Sequence, residues 1–460
     1  MRALLPLLLL PLPFASLLST DATTTLQREE LSGSHAYSIV RSLCDEGGPR
    51  PAGSPGDRAA VAWATRTMQG LGLSSVHTEA VRVSHWERGE GRAELVSPFR
   101  QHLVITALGG SVGTPAAGVE ADVVEAASVQ ELKKLSPDAV RGKIVFLDPI
   151  MRRTRDGAGY EEAVFSRFLG AREAAKLGAV AMLLRSVGTD HDRLPHTGAK
   201  SKDDHEIPAA ALSVPDAEML HRVLAEKKAA RVRLVLGART LPDAESANVV
   251  GEVTGRERPQ EIVLLGAHLD SWDLGTGAVD DGAGVAIVLE TGRLLQALPQ
   301  KPRRTVRVVL FANEEHGLHG AREYARVHAA ESVAHVVAAE ADFGADGVYA
   351  VRFRGDPAAR DRFVDLARLL APLGIERQDD TGNAGADVSP LQALGVPILD
   401  LRQDATRYFD LHHSANDTID KIDPGILAQA AASFATVAWA AAEMDGDFGR
   451  VPEALRKERF

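Results

Sequence analysis

The runs at 261–267, 305–312 and 335–341 are short and predominantly apolar, and stretches with helical periodicity alternate with them. A strand that is apolar on both faces cannot lie on a half-solvated sheet. It has to sit between two layers of helices. Such strands alternating with helices predict an α/β fold with a mixed, largely parallel sheet flanked by helices. Helices are expected at 284–298, 318–328, 357–370 and 424–444, with a further strand at 396–401. Nearer the N-terminus, a helix is expected at 35–44, and the alternation at 76–83 suits an antiparallel edge strand.

At 460 residues the chain exceeds one compact core. Its texture changes from about 115 to 237, where strands at 142–147, 179–184 and 232–236 surround helices at 167–177 and from Asp216. The charged, turn-rich stretch 189–204 reads as a surface loop. The expected organisation is a signal peptide at 1–20, a catalytic domain split into 21–114 and 241–460, and a small β-rich insertion at 115–240.

Arg2 is followed by a leucine-rich run to Leu18, broken by Pro6, Pro11 and Pro13 and ending in Ser19-Thr20-Asp21. That pattern suits a secretory signal and a secreted or periplasmic location. No other segment reads as long and apolar enough to span a bilayer, so no membrane partner is expected after signal removal. Cys44, the only cysteine, excludes an intrachain disulfide and reads as a buried, inert thiol. A formal net charge of -11, with no basic stripe, excludes nucleic acid as the main partner. Oligomeric state is not legible.

In an open α/β sheet, ligands gather beyond the carboxyl ends of the strands. The first run delivers His268 and Asp270, the second Glu314 and Glu315, and the third Asp342. A glycine-rich loop between the first two carries Asp280 and Asp281. Carboxylates converging at neighbouring strand ends repel unless a cation neutralises them, and mixed His/Asp/Glu donors suit zinc. Adjacent glutamates at a strand end point apart, so one can bind metal while the other faces the attacking water as general base.

Gly266-Ala267-His268-Leu269-Asp270, Asp280-Asp281-Gly282, Asn313-Glu314-Glu315-His316-Gly317 and Phe409-Asp410-Leu411-His412-His413-Ser414 together resemble the M28 family of zinc exopeptidases, and most nearly its carboxypeptidase Q-like branch. The 115–240 block likewise resembles the protease-associated domain inserted in several members. The resemblance implies two zinc ions bridged by Asp280, with His268 and Asp342 completing one site and Glu315 and His413 the other. It implies Glu314 as general base and Asp270 as the acid that orients His268. Counting back from Asp417-Thr418 selects His413 over His412. Tyr408 is a candidate donor to the oxyanion and Asp387 a candidate substrate contact, whereas His316 and His319 read as supporting or surface residues. The implied substrates are dipeptides or short peptides. A non-catalytic binding protein and a glutaminyl-cyclase-like zinc enzyme are the competing readings of the same scaffold.

Overall fold

The computed structural model describes residues 14–458 apart from 203–204 and 227–228. Within the expected signal segment, residues 1–13 lie outside the described residues, and 14–20 open the helix Phe14–Gly33.

The apolar runs form the centre of an eight-stranded sheet. Its strands are β1 (Ser74–Glu87), β2 (Arg239–Val253), β3 (Arg258–His268), β4 (Arg304–Phe311), β5 (His335–Glu340), β6 (Val348–Arg354), β7 (Glu376–Thr381) and β8 (Ile398–Gln403). Their spatial order is β1-β2-β4-β3-β5-β8-β6-β7. Strand β3 pairs in parallel with both β4 and β5, while β1 is the antiparallel edge that the alternating pattern predicts.

Both faces of the central strands are covered, and alternate residues go to different layers. Val263 and Leu265 pack with Val285, Leu289 and Phe434. Ile262 and Leu264 pack with Leu318, Tyr324 and Leu391 on the other face. Helices Ala283–Ala297 and Pro424–Glu443 therefore roof one side, and His319–Val327 with Ser389–Ala393 the other. One expectation is corrected here. Pro424–Glu443 is long and apolar enough to cross a bilayer, but it is a core helix with 83% of its apolar window buried inside the protein.

A second eight-stranded sheet takes its strands from Gly91–Ser97 through Arg231–Leu236, so the block expected at 115–240 shares its sheet with strands that precede it. Helices Ala158–Lys176 and Val214–Ala225 pack on this sheet. The 189–204 stretch is not a solvated loop: His196, Thr197 and Lys200 are buried, with His196 and Thr197 held against the 408–414 segment. Its charges mislead because they are paired: Asp190 with His196, Lys200 with Glu206 and Arg193 with Asp216.

Arg50 ties the N-terminal turn to the loop after β3. Its fully buried guanidinium donates to the carbonyls of Leu269, Thr276, Gly277 and Gly48. Four carbonyls on one buried cation leave no cheap substitute, because each orphaned acceptor carries its own desolvation cost. Arg50→Met is expected to lower unfolding free energy by about 3–5 kcal/mol in chemical denaturation. Arg66→Ala, which removes an exposed pair with Glu46, should cost less than about 1 kcal/mol.

Candidate metal centre

The central strands deliver their terminal side chains to one buried point. His268 ends β3, Glu314 and Glu315 follow β4, and Asp342 follows β5. Asp280 arrives on the loop that enters helix Ala283–Ala297, behind Gly277. Gly277 has φ +60°, and a Cβ there would fall 2.3 Å from Ser271 Cβ, so the turn admits only glycine.

Asp280 is the meeting point. Its Oδ1 lies 3.3 Å from His268 Nε2, and its Oδ2 lies 3.2 Å from His413 Nε2. His268 Nε2 is also 3.7 Å from Asp342 Oδ1, and His413 Nε2 is 3.0 Å from Glu315 Oε2. All five residues expected as ligands thus come together around one carboxylate. His412 Nε2 stands 3.7 Å from Asp280 and makes no approach to Glu315, its ring stacked on His413 at 3.5 Å. Asp270, expected to orient His268, lies with its Oδ1 3.5 Å from His268 Nδ1 and also holds the two glutamates. Asp270 accepts the backbone N–H of Glu314 at 2.9 Å and of Glu315 at 3.3 Å, and its carbonyl faces His268 Nδ1 at 3.0 Å. The Glu314 carboxylate itself has no hydrogen-bond partner among the described residues and is only partly covered.

Several supporting residues escape a linear reading. Asp281 accepts from the His268 and Gly284 backbone, and Asp417 from Val279 and Asp280, pinning the aspartate loop. The indole N–H of Trp272 donates to Glu315 Oε2 at 2.6 Å, while its ring belongs to the core of the second sheet. From the second sheet's side, Thr197 N–H donates to His413 O at 2.8 Å, and His196 Nδ1 meets His412 O at 2.6 Å. Only the doubled Asp280-Asp281 and the acid after His413 were visible signals for any of these.

The electrostatics are those of an acid-rich pocket. Burial, then the charges of Glu315, Asp342 and Asp387, drive the Glu314 carboxyl well above its usual range despite His268. Burial also raises Glu315, despite His413. Burial opposes charge on His413, but Glu315 and Asp280 outweigh it and lift the imidazole to about 9. Burial and His413 hold His412 well below the usual histidine range. Tyr408 is buried against Phe343, Phe409 and His412, and its hydroxyl is raised by burial and by the charges of Asp280 and Asp342. His316 packs on Trp272 at 4.5 Å and His319 bonds Asn313, so neither joins the cluster. Asp387 is fully buried with both oxygens unpartnered.

The donor set fits zinc. His268, Asp280 and Glu315 offer ligand atoms within 4.8 Å of one another, as do Asp280, His412 and His413, and His268, Asp281 and Asp342. Asp280 Oδ2 and Glu315 Oε1 are buried without hydrogen-bond partners, as expected of atoms meant for a cation.

Sequence and structure comparisons agree with this arrangement. Residues 248–438 match peptidase family M28. Carboxypeptidase Q of Mus musculus is 39% identical over 412 residues, 89% of this chain and 86% of the mouse protein. The Homo sapiens protein of that name is 38% identical over the same shares. A peptidase M28 precursor from Shewanella amazonensis SB2B superposes with TM-score 0.94 at 45% identity, covering 95% of this chain and 99% of that one. A zinc aminopeptidase from Bacillus subtilis shares the fold at TM-score 0.66 and 20% identity, covering 92% of this chain and 98% of that one. With this likeness across nearly its whole length, and a buried His/Asp/Glu centre at the strand ends, the chain belongs to peptidase family M28 as a zinc-dependent exopeptidase.

Proposed function

We propose that the protein hydrolyses dipeptides or short peptides from a free end, with two zinc ions held by its buried centre. The single observation that carries this reading is the placement of the Asp280 oxygens, Oδ1 toward His268 and Oδ2 toward His413, which suits a carboxylate shared by two cations. His268 and Asp342 would hold one ion, and Glu315 and His413 the other. The 3.0 Å approach of His413 to Glu315 supports it over His412. Zinc supplies a Lewis acid that polarises the scissile carbonyl and acidifies the attacking water.

The protein's own groups do the rest. Glu314, partnerless and lifted by its surroundings, takes a proton from the attacking water and returns it to the leaving amine. Asp270 fixes the backbone of both glutamates and backs His268, so base and ligand keep a fixed relation. Tyr408 faces the same centre and is a donor for the developing oxyanion. Asp387, with its unpartnered oxygens, is a contact for the substrate amine. The unit around the second sheet, which includes 115–240, acts as a protease-associated-like insertion that walls the cleft. The leucine-rich start acts as a secretion signal, placing the enzyme in the periplasm or outside the cell.

Glu314→Gln keeps the shape and removes the base. It is expected to retain about two zinc per chain by elemental analysis while turnover of a dipeptide such as Ala-Leu falls by about 10²–10⁴-fold. Normal turnover in that variant, or no zinc in the wild type, sinks the mechanism.

Chelation is expected to abolish activity, and zinc alone should restore it. Because the cation neutralises clustered carboxylates only in the folded state, the chelated protein should also melt at lower temperature. Asp280→Ala, which strips the shared ligand, should match the chelated wild type in both respects. Full zinc occupancy in Asp280→Ala would remove the bridging role.

A further inference from the structure

Arg167 stands on the helix Ala158–Lys176 of the second unit and is 6% exposed. The other deeply buried arginines are satisfied. Arg50 has four carbonyls, Arg185 meets Asp148 at 2.6 Å, and Arg304 meets Glu261 at 2.5 Å. Arg167 has no carboxylate within ion-pair distance among the described residues, and its Nε has no partner at all. Its Nη1 has only long contacts, 3.4 Å to His413 Nδ1 and 3.5 Å to Thr197 O. Gly198 makes room for it, since a Cβ there would lie 2.4 Å from the guanidinium carbon.

The one short bond runs to a tyrosine. Arg167 Nη2 donates to the Tyr160 hydroxyl at 2.6 Å. The phenol oxygen is thus used as an acceptor, which leaves its own proton to donate elsewhere. Tyr160 is fixed by stacking on Phe409 at 4.8 Å and by edge contact with His412 at 5.2 Å. It lines a cleft together with Glu340, Asp342, Phe343 and Arg402. Arg402, the arginine that lines that cleft, faces Asp400 at 4.0 Å and donates to Asp156 O; among the described residues its Nε is unpartnered, whereas Arg167 stands behind Tyr160 and meets no carboxylate.

A buried cation without a counter-charge is costly, and an O–H backed by a guanidinium is a strong donor to an anion. Five carboxylates line the cleft, Asp156, Glu161, Glu340, Asp342 and Asp400, and they repel anions, so an anionic group is drawn to the end where Arg167 backs the Tyr160 hydroxyl. We propose that Tyr160 and Arg167 form the receptor for the free terminal carboxylate of a short peptide, Tyr160 donating the hydrogen bond and Arg167 supplying the charge. The inference rests on the peptide-hydrolysing reading of the neighbouring centre and deepens it. A carboxylate held beside the metal centre limits the substrate to peptides that end shortly after the scissile bond, and it assigns the second unit a share in specificity.

The test compares Ala-Leu with Ala-Leu amide on the zinc-loaded, full-length protein, in wild type, Tyr160→Phe and Arg167→Met. In both variants the KM for Ala-Leu should rise about tenfold or more with kcat within about twofold, while kcat/KM for the amide stays unchanged. Equal wild-type kcat/KM for the two peptides overturns the proposal. So does an equal loss on both peptides in Tyr160→Phe, whose removed hydroxyl leaves the packing intact; that result would mark a role in the chemical step or in holding His413. Calorimetric titration of Glu314→Gln with the same two peptides separates this inference from the hydrolytic one. Ala-Leu should bind about tenfold tighter than its amide, and adding Tyr160→Phe should erase the difference. That preference without any wild-type cleavage would sink the hydrolase reading and leave the carboxylate receptor standing.

Discussion

A buried carboxylate addressed from two sides by imidazoles sets the terms for the rest of this protein. Asp280 is 4% exposed, and within a few ångströms it meets His268 and His413, with Glu315 and Asp342 just behind. Two like charges about 4 Å apart repel by about 4 kcal/mol at the effective dielectric of a partly buried site. A cluster of this kind persists only if the scaffold is rigid enough to impose it and a cation relieves it. The rigidity comes from parallel strands whose ends are fixed by ladders on both sides, and from Asp270, Asp281 and Asp417. None of these three contributes an oxygen to the Asp280 meeting point; each accepts backbone N–H groups of the segments that carry those that do.

The centre is also closed by a part of the chain that no strand of the main sheet contains. His413 has φ +60°, a conformation a non-glycine residue holds only when its surroundings dictate it. Those surroundings include Thr197 and His196, which bind the backbone of the histidine pair from the second unit. Trp272 works in the opposite direction: its ring fills the second sheet's core while its N–H steadies Glu315. The two units therefore share side chains on either side of the centre, so a change in how they pack would be felt at the ligands directly.

Much of this was legible in the order of residues. Predominantly apolar runs required a sheet covered on both faces, and the structure places Ile262 and Val263 in opposite layers. Strand-end acids and histidines required a common site, because the register of parallel strands leaves them level. Sequence reading failed at 189–204, where charge and turn residues signalled solvent. Five of its residues, 195–198 and 200, are buried, and the backbone of His412 and His413 holds His196 and Thr197 from more than two hundred positions away. At Pro424–Glu443 the closing helix stands where it was expected, and burial separates this core helix from a membrane-like composition.

What the sequence determined by itself was local and periodic: which segments are strands, and which ends carry metal-binding donors. Those properties follow from side-chain alternation and backbone sterics, which act within a few residues. The count back from Asp417-Thr418 already pointed to His413; what only the tertiary structure decided was its 3.0 Å approach to Glu315, and that Arg167, bonded to Tyr160, stands beside it. Those contacts bring His413 to Glu315 and, across 246 positions, to Arg167. Their geometry is set by how two sheets pack, and no local pattern encodes that.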